Sequence, residues 1–302
     1  MAIRIAPDAR SGKSAERAAR VPVAEPGATH DPGGGFLAAR ARQTRRADLW
    51  RGPLSALAPV FAGMAMLLIW QYGVQLSGVS SYLVPAPAAV FQSFLISVED
   101  GLIPRYAATT LIESLTGFAI GAVIALPTGY AIARNRALAA ALEPYLAASQ
   151  AVPAVALAPL LVLLLGYGLL PVAALCALIV FFPAAVNTTL GFRTLDRDVL
   201  DAARIDGAGR WALLRHIEAP LALPSILSGL RASLTLSVTG AVVGEFVLGD
   251  QGLGGLLTIA RGNFNAPLVF ATLLALALMA TALYGLARLI EQLIISHESL
   301  EA

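Results

Sequence analysis

Along most of this chain the hydrophobic residues run together in blocks instead of alternating with polar ones. The blocks begin at Leu54 and predict helices at 54–76, 107–133, 140–165, 169–190, 223–247 and 268–290. Each block holds about 20 residues, which at ~1.5 Å per residue crosses a hydrocarbon layer of ~30 Å. The third block differs from the rest because it carries Pro144, Pro153 and Pro159. Proline removes a backbone donor and kinks or breaks a helix, and a broken helix survives at membrane depth only beside protein or a watery path. The segment 144–159 therefore reads either as a bent helix lining a passage or as a kinked packing helix. Residues 1–48 hold no apolar block and are rich in Arg, Ala, Gly, Pro and Asp. They read as a disordered tail. A secretory signal would need a charged start followed by an apolar core of about 7–15 residues, so no cleavage is expected.

Composition strengthens this picture. The chain has 302 residues, of which 57% are hydrophobic and 13% charged, with a mean hydropathy of +0.73. An ordinary soluble domain carries about 25% charged residues, so this chain cannot coat a soluble globule of its size. An extended disordered chain is excluded by the same hydrophobicity. The expectation is an all-α polytopic membrane protein of six spans. A net charge of +2 gives no support to nucleic-acid binding. The single cysteine, Cys176, rules out an internal disulfide and a thiolate cluster. His30, His216 and His297 are scattered, so no metal site is expected. No nucleophile–base set can be assembled, and no catalytic residue is expected.

The basic residues set an orientation. Of the 21 Lys and Arg residues, only Arg105 and Arg261 fall outside the tail, the 134–139 loop, the 191–222 loop and the inner ends of the last two spans. The rule that basic loops stay inside then puts both termini in the cytoplasm of a bacterial inner membrane.

Two groups of residues stand out as carriers of function. The first is the 191–222 loop. Asp196 and Asp198 suit the start of a short helix, Gly207 suits a turn, and Val199, Leu200, Ala203, then Trp211, Leu214 and Ile217, recur at helical spacing. The loop reads as two short helices about a glycine hinge, either docking a partner or lying on the membrane interface. The second group is polar and lies within the spans: Glu113 with Thr109, Thr110, Ser114 and Thr116; Asn187; Ser233 and Ser237; Glu245; and, after it, Gly252 and Gly254. Such groups either mark a pathway or mediate helix packing. Glu113 either faces outer water or pairs with Arg105 or another charge. Glu245 is placed to brace the glycine-rich outer loop next to it.

The 201–220 segment resembles the EAA loop of permease subunits of ABC-type importers. It has Asp201-Ala202-Ala203, three residues, Gly207, nine residues, Ile217, one residue, then Ala219-Pro220. Asp replaces the family's Glu at 201, and Ala replaces its Leu at 219. Tyr82-Leu83-Val84-Pro85-Ala86-Pro87, Val152-Pro153 through Pro159 to Gly166, and Gly244-Glu245 with Gly252-Leu253-Gly254 also resemble family segments, across about 54–298. The likeness is greatest to the nitrate, sulfonate and taurine branch. It implies a type I importer permease working as a homodimer among membrane lipid. Cytoplasmic ATP-binding subunits would hold the loop and use ATP and Mg, and a periplasmic binding protein would deliver a sulfonate, nitrate, taurine or similar small organic molecule. On this reading Trp211, Leu213 and Leu214 are the knobs that enter the ATPase, and Pro153 and Pro159 belong to the pathway. No cofactor is expected on this chain itself. The near match to a phosphate loop, Gly12-Lys13-Ser14, has Pro7 where the first glycine is required. A secondary transporter would need internal repeats or paired intramembrane charges, and would leave the loop unexplained.

Overall fold

A computed structural model describes residues 53–78, 83–149, 153–248 and 251–301. The 1–48 tail and its Gly12-Lys13-Ser14 lie outside them. The described residues are helical, in the order α1 (Pro53–Ser77), α2 (Pro87–Glu99), α3 (Leu102–Arg134), α4 (Arg136–Ser149), α5 (Ala154–Leu165), α6 (Leu169–Arg193), α7 (Arg197–Ile205), α8 (Arg210–Leu213), α9 (Ala219–Leu248), α10 (Gly252–Gly262) and α11 (Ala266–Glu301). The chain divides into two units, Met1–Ala65 and Met66–Ala302. The described part of the first is the opening of α1. The second holds the helical bundle and both of its ends.

Among the described residues, five helical stretches are each long and apolar enough to cross a membrane: Val60–Ser77, Leu102–Arg134, Leu169–Arg193, Arg210–Leu248 and Ala266–Ile294. They match five of the expected spans. The expected third span, 140–165, is not one helix. It is divided between α4 and α5, with Pro153 as the N-cap of α5. Of its three prolines only Pro153 stands at the break. Pro144 and Pro159 are accommodated inside α4 and α5.

α6 is the axis of the bundle, gripped by α3 on one side and α9 on the other. Its 25 residues include fully buried Leu175, Cys176, Val180 and Ala185. α3 approaches closely because it turns glycines toward α6. A Cβ at Gly117 would lie 2.2 Å from Cys176 Cβ, and one at Gly121 2.7 Å from the Ala177 carbonyl oxygen. Small residues at i and i+4 permit this approach in membrane helices, where packing replaces the hydrophobic drive. On the other side Ser233 Oγ donates to the Val180 carbonyl at 3.4 Å, and Cys176 Sγ to that of Ser237 at 3.3 Å. α11 closes the bundle through Leu283 against Leu234 and Val238. The partly buried Arg231–Glu291 ion pair, 2.6 Å, ties α9 to α11.

Much of the remaining surface is apolar. Met66, Ile69 and Leu76 on α1, and Leu163, Leu164 and Leu170 on α5 and α6, are more than half exposed. That is the inverse of a soluble protein, and fits a lipid-facing or partner-facing exterior.

Candidate functional sites at the two ends of the bundle

At one end, where α3 and α6 finish and α9 begins, the 196–220 segment folds as a compact elbow. Asp196 caps α7, its Oδ1 accepting from the Asp198 amide at 2.9 Å. The helix closes with paired backbone bonds, Gly207 N to Arg204 O at 3.1 Å and Ala208 N to Ala203 O at 3.0 Å. Gly207 sits at φ +86°, the left-handed conformation that this closure demands and that glycine adopts without steric penalty. The predicted first helix and hinge are therefore present.

The second predicted helix is not separate. α8 runs through a π-helical turn, Leu214–Glu218, directly into α9. Pro220 lies inside this continuous rod, not at the end of a loop. It has no amide to give to residue 216, and its ring crowds that carbonyl. The Ala219 amide reaches back to Leu214 O instead. Such an insertion relieves a proline within a helix and is frequent at functional sites.

The elbow faces two ways. Leu200 and Leu213 point inward, 8% and 5% exposed. Leu213, expected as a knob, is therefore part of the chain's own packing. Leu214, Ile217 and Pro220 are half-buried, and Ala203 likewise, while Ala202 is exposed. Asp201 is exposed and pairs with Arg204 at 2.7 Å. Ile205 and Trp211 project, 86% and 71% exposed.

A clamp that sequence reasoning missed fixes the elbow to the bundle. Glu218, fully buried in the π turn, forms an ion pair with Arg134 at the end of α3. The Arg134 guanidinium lies 5.8 Å from the centre of the Tyr130 ring, which meets Phe192 of α6 edge-on at 4.9 Å. Arg193 adds bonds to Glu143 of α4 at 2.6 Å and to the Ile132 carbonyl at 3.4 Å. Between the clamp and the elbow lies a recess of ≈ 670 Å³ lined by Tyr130, Arg134, Arg204, Ala208, Arg210 and Leu213. The signal is present in the sequence, since Glu218 sits between two helix-spaced apolar residues where a solvated charge is unexpected.

At the opposite end, Glu245, Thr110 and the start of α10 form a buried knot. Thr110 Oγ1 donates to Glu245 Oε1 at 2.5 Å and accepts from the Leu253 amide at 2.8 Å. The Gly254 amide donates to Glu245 Oε2 at 2.6 Å. Two of the otherwise orphaned amides of α10 are thus capped by side chains from α3 and α9. Gly252 and Gly254 make room: a Cβ at Gly252 would fall 1.8 Å from Glu245 Oε1, and Gly252 also needs φ +61°. Glu245 braces the adjoining glycine-rich segment, as expected, but Gly252-Leu253-Gly254 opens a helix and is not a loop. Glu113 is 1% exposed and lies against Glu245. It faces neither water nor Arg105.

The other polar residues expected along a pathway lie in helix packing. Ser233 and Ser237 are fully buried between α6 and α9. Asn187 bonds to the Pro183 carbonyl at 2.8 Å, with its Cβ against Gly229. Pro159 does border open space, a recess of ≈ 490 Å³ shared with Val162, Leu163, Gly166, Tyr167 and Val247. Pro153 is exposed at the start of the same helix.

One end of the helical bundle thus carries an elbow with exposed apolar side chains, and the other a sealed polar knot. Residues 117–296 match the family described as the binding-protein-dependent transport system inner membrane component, and the chain belongs to that family. It is 47% identical to the riboflavin transport system permease protein RibX of Chloroflexus aurantiacus, over 78% of this chain and 88% of that one. It is 30% identical to the formylaminopyrimidine transport permease protein ThiX of Halalkalibacterium halodurans, over 80% and 95%. It is 29% identical to the putative aliphatic sulfonates transport permease protein SsuC of Escherichia coli, over 80% and 91%. An inward-facing structure of the MetNI methionine ABC transporter shares the fold, at 19% identity, TM-score 0.57, over 64% of this chain and 96% of that one. The chain is an ABC importer permease for small solutes and has no ATPase site of its own.

Proposed function

We propose that two copies of this chain form the pathway of an importer whose ATPase subunits grip the 196–220 elbow. The observation that carries this reading is the exposure of Ile205 and Trp211, 86% and 71%, on a segment whose Leu200 and Leu213 are buried and whose Glu218 is clamped to Arg134. Exposed aromatic and aliphatic groups on a rigid base are what a partner's groove recognises. ATP and Mg are used by that partner, and closure of the ATPase pair moves the elbow as a lever. Because α8 runs unbroken into α9, such a push passes along a helix and not through a slack loop. The basic residues of the tail and the elbow favour a cytoplasmic position for both termini and the elbow. The α10 end then faces the periplasm and a binding protein. The α4–α5 pair supplies the sixth crossing, broken at Pro153.

The cargo we favour is an uncharged, flat heterocycle over a sulfonate, nitrate or taurine. Two relatives carry riboflavin and formylaminopyrimidine by name. The buried charged residues among those described are Glu113, Glu218 and Glu245, and the partly buried Arg231 of α9 is already paired with Glu291, which favours an uncharged cargo over an anion. The test is ATP-dependent uptake into proteoliposomes holding the permease, its ATPase and its binding protein. Labelled riboflavin should accumulate and taurine should not compete. Uptake of taurine in preference to riboflavin would reverse the cargo assignment, and uptake without ATP would overturn the importer reading.

A further inference from the structure

We propose that Glu113 and Glu245 hold one proton between them and act as a proton-dependent latch for α10. Both carboxyls are essentially inaccessible, 1% and 0% exposed, Glu113 on α3 and Glu245 on α9 against Thr110 of α3 and the start of α10. Glu245 has its donors, Thr110 Oγ1 on one oxygen and the Gly254 amide on the other. Glu113 has none: neither of its oxygens meets a donor among the described residues, although it lies against Glu245. A buried carboxyl with no partner beside one with two calls for something between them. Two ionised carboxylates do not persist in contact in a dry interior.

No fixed positive charge among the described residues supplies the need. α6 contributes the thiol of Cys176, α9 contributes Glu245 itself, and α10 contributes only backbone amides. Glu99, Asp100 and Arg105 near the start of α3, and Arg261 at the far end of α10, are exposed. The ion pairs among the described residues lie elsewhere. A proton on Glu113 satisfies both groups at once, since Glu113 then donates to the carboxylate of Glu245, which keeps its bonds to Thr110 and Gly254. Carboxyl pairs that share a proton are an established solution to this problem. Removing the proton puts two negative charges beneath the amides of α10, and the repulsion works directly on the residue that holds that helix in place. The latch therefore loosens as pH rises.

The experiment uses the full chain with its ATPase in lipid nanodiscs. Infrared difference spectra between neutral and alkaline pH should show the carbonyl band of a neutral carboxylic acid bleaching in the wild type. The band should be missing in Glu113→Gln and unchanged in Glu99→Gln, which removes an exposed carboxyl. Over the same range the wild-type melting temperature should fall, because the folded state binds the extra proton, and the fall should be shallower in Glu113→Gln. Absence of the band in wild type, or its persistence in Glu113→Gln, would overturn the proposal. So would a wild-type melting temperature that depends on Na⁺ or K⁺ at fixed pH, because a metal cation would then fill the gap. The wild-type spectrum decides the matter even if the Gln variant folds poorly.

Discussion

The two ends of the bundle solve the same problem, fixing a short helix at the tip of long ones, by opposite means. The elbow is built from neighbours. Asp196 caps α7 two residues on, and Gly207 closes it with bonds that span only a few residues. The knot at the other end is built from strangers: Thr110, Glu245 and Leu253 come from three helices, up to 143 residues apart. The elbow leaves Ile205 and Trp211 exposed, whereas the knot is fully buried. A part held by its own sequence neighbours can be local and exposed. A part that ties several helices together must draw on all of them, so that moving any one disturbs it.

Substitutions test this contrast, and Gly252 and Gly207, one at each end and both of positive φ, make the sharpest pair. Gly252→Ala places a methyl on Glu245 Oε1 at 1.8 Å and strains φ +61°, so it should cost on the order of 3–5 kcal/mol and most of the folded yield, read as melting temperature in detergent. Glu218→Ala removes the buried partner of Arg134. Because that arginine is 37% exposed and can turn to water, the cost should be about 1–2 kcal/mol, with the elbow loosened as measured by faster hydrogen exchange across 210–218. Gly207→Ala has φ +86° but open space around its Cβ, so only the backbone penalty of about 1–2 kcal/mol applies, and folded yield should hold. Asp196→Ala should cost about 1 kcal/mol, confined to fraying of α7, visible as exchange at 197–205 without a change in the melting of the bundle. Equal effects at Gly252 and Gly207 would erase the distinction between the two ends.

Legibility in the sequence divides along the same line. The long helices are readable because about 20 consecutive apolar residues have few other fates. The elbow is readable because its capping and turn signals lie within a few residues of the groups they satisfy. The continuity of α8 with α9 is not, because Pro220 and Pro224 signal an end, and the π turn that absorbs Pro220 leaves no local mark. Leu213 is expected as a knob only from the family resemblance; helical spacing groups Trp211, Leu214 and Ile217, and the packing that buries Leu213 is tertiary. Ser233, Ser237 and Asn187 fit either pathway or packing by sequence; tertiary contact with α6 decides for packing at the two serines, and the bond to Pro183 with the close fit to Gly229 does so at Asn187. The capping of α10 by Thr110 and Glu245 is invisible beyond the expectation that Glu245 braces the neighbouring segment, since no local pattern brings 110 to 253.

If the elbow is the handle of a separate ATPase, Trp211 and Ile205 are its grip. The most direct measurement is co-purification of the ATPase with the chain carrying Trp211→Glu and Ile205→Glu, alongside its melting temperature and elution profile. The permease should remain intact and well folded but lose its ATPase, because both side chains project into solvent and away from the bundle. Retention of the ATPase at wild-type stoichiometry would contradict this assignment.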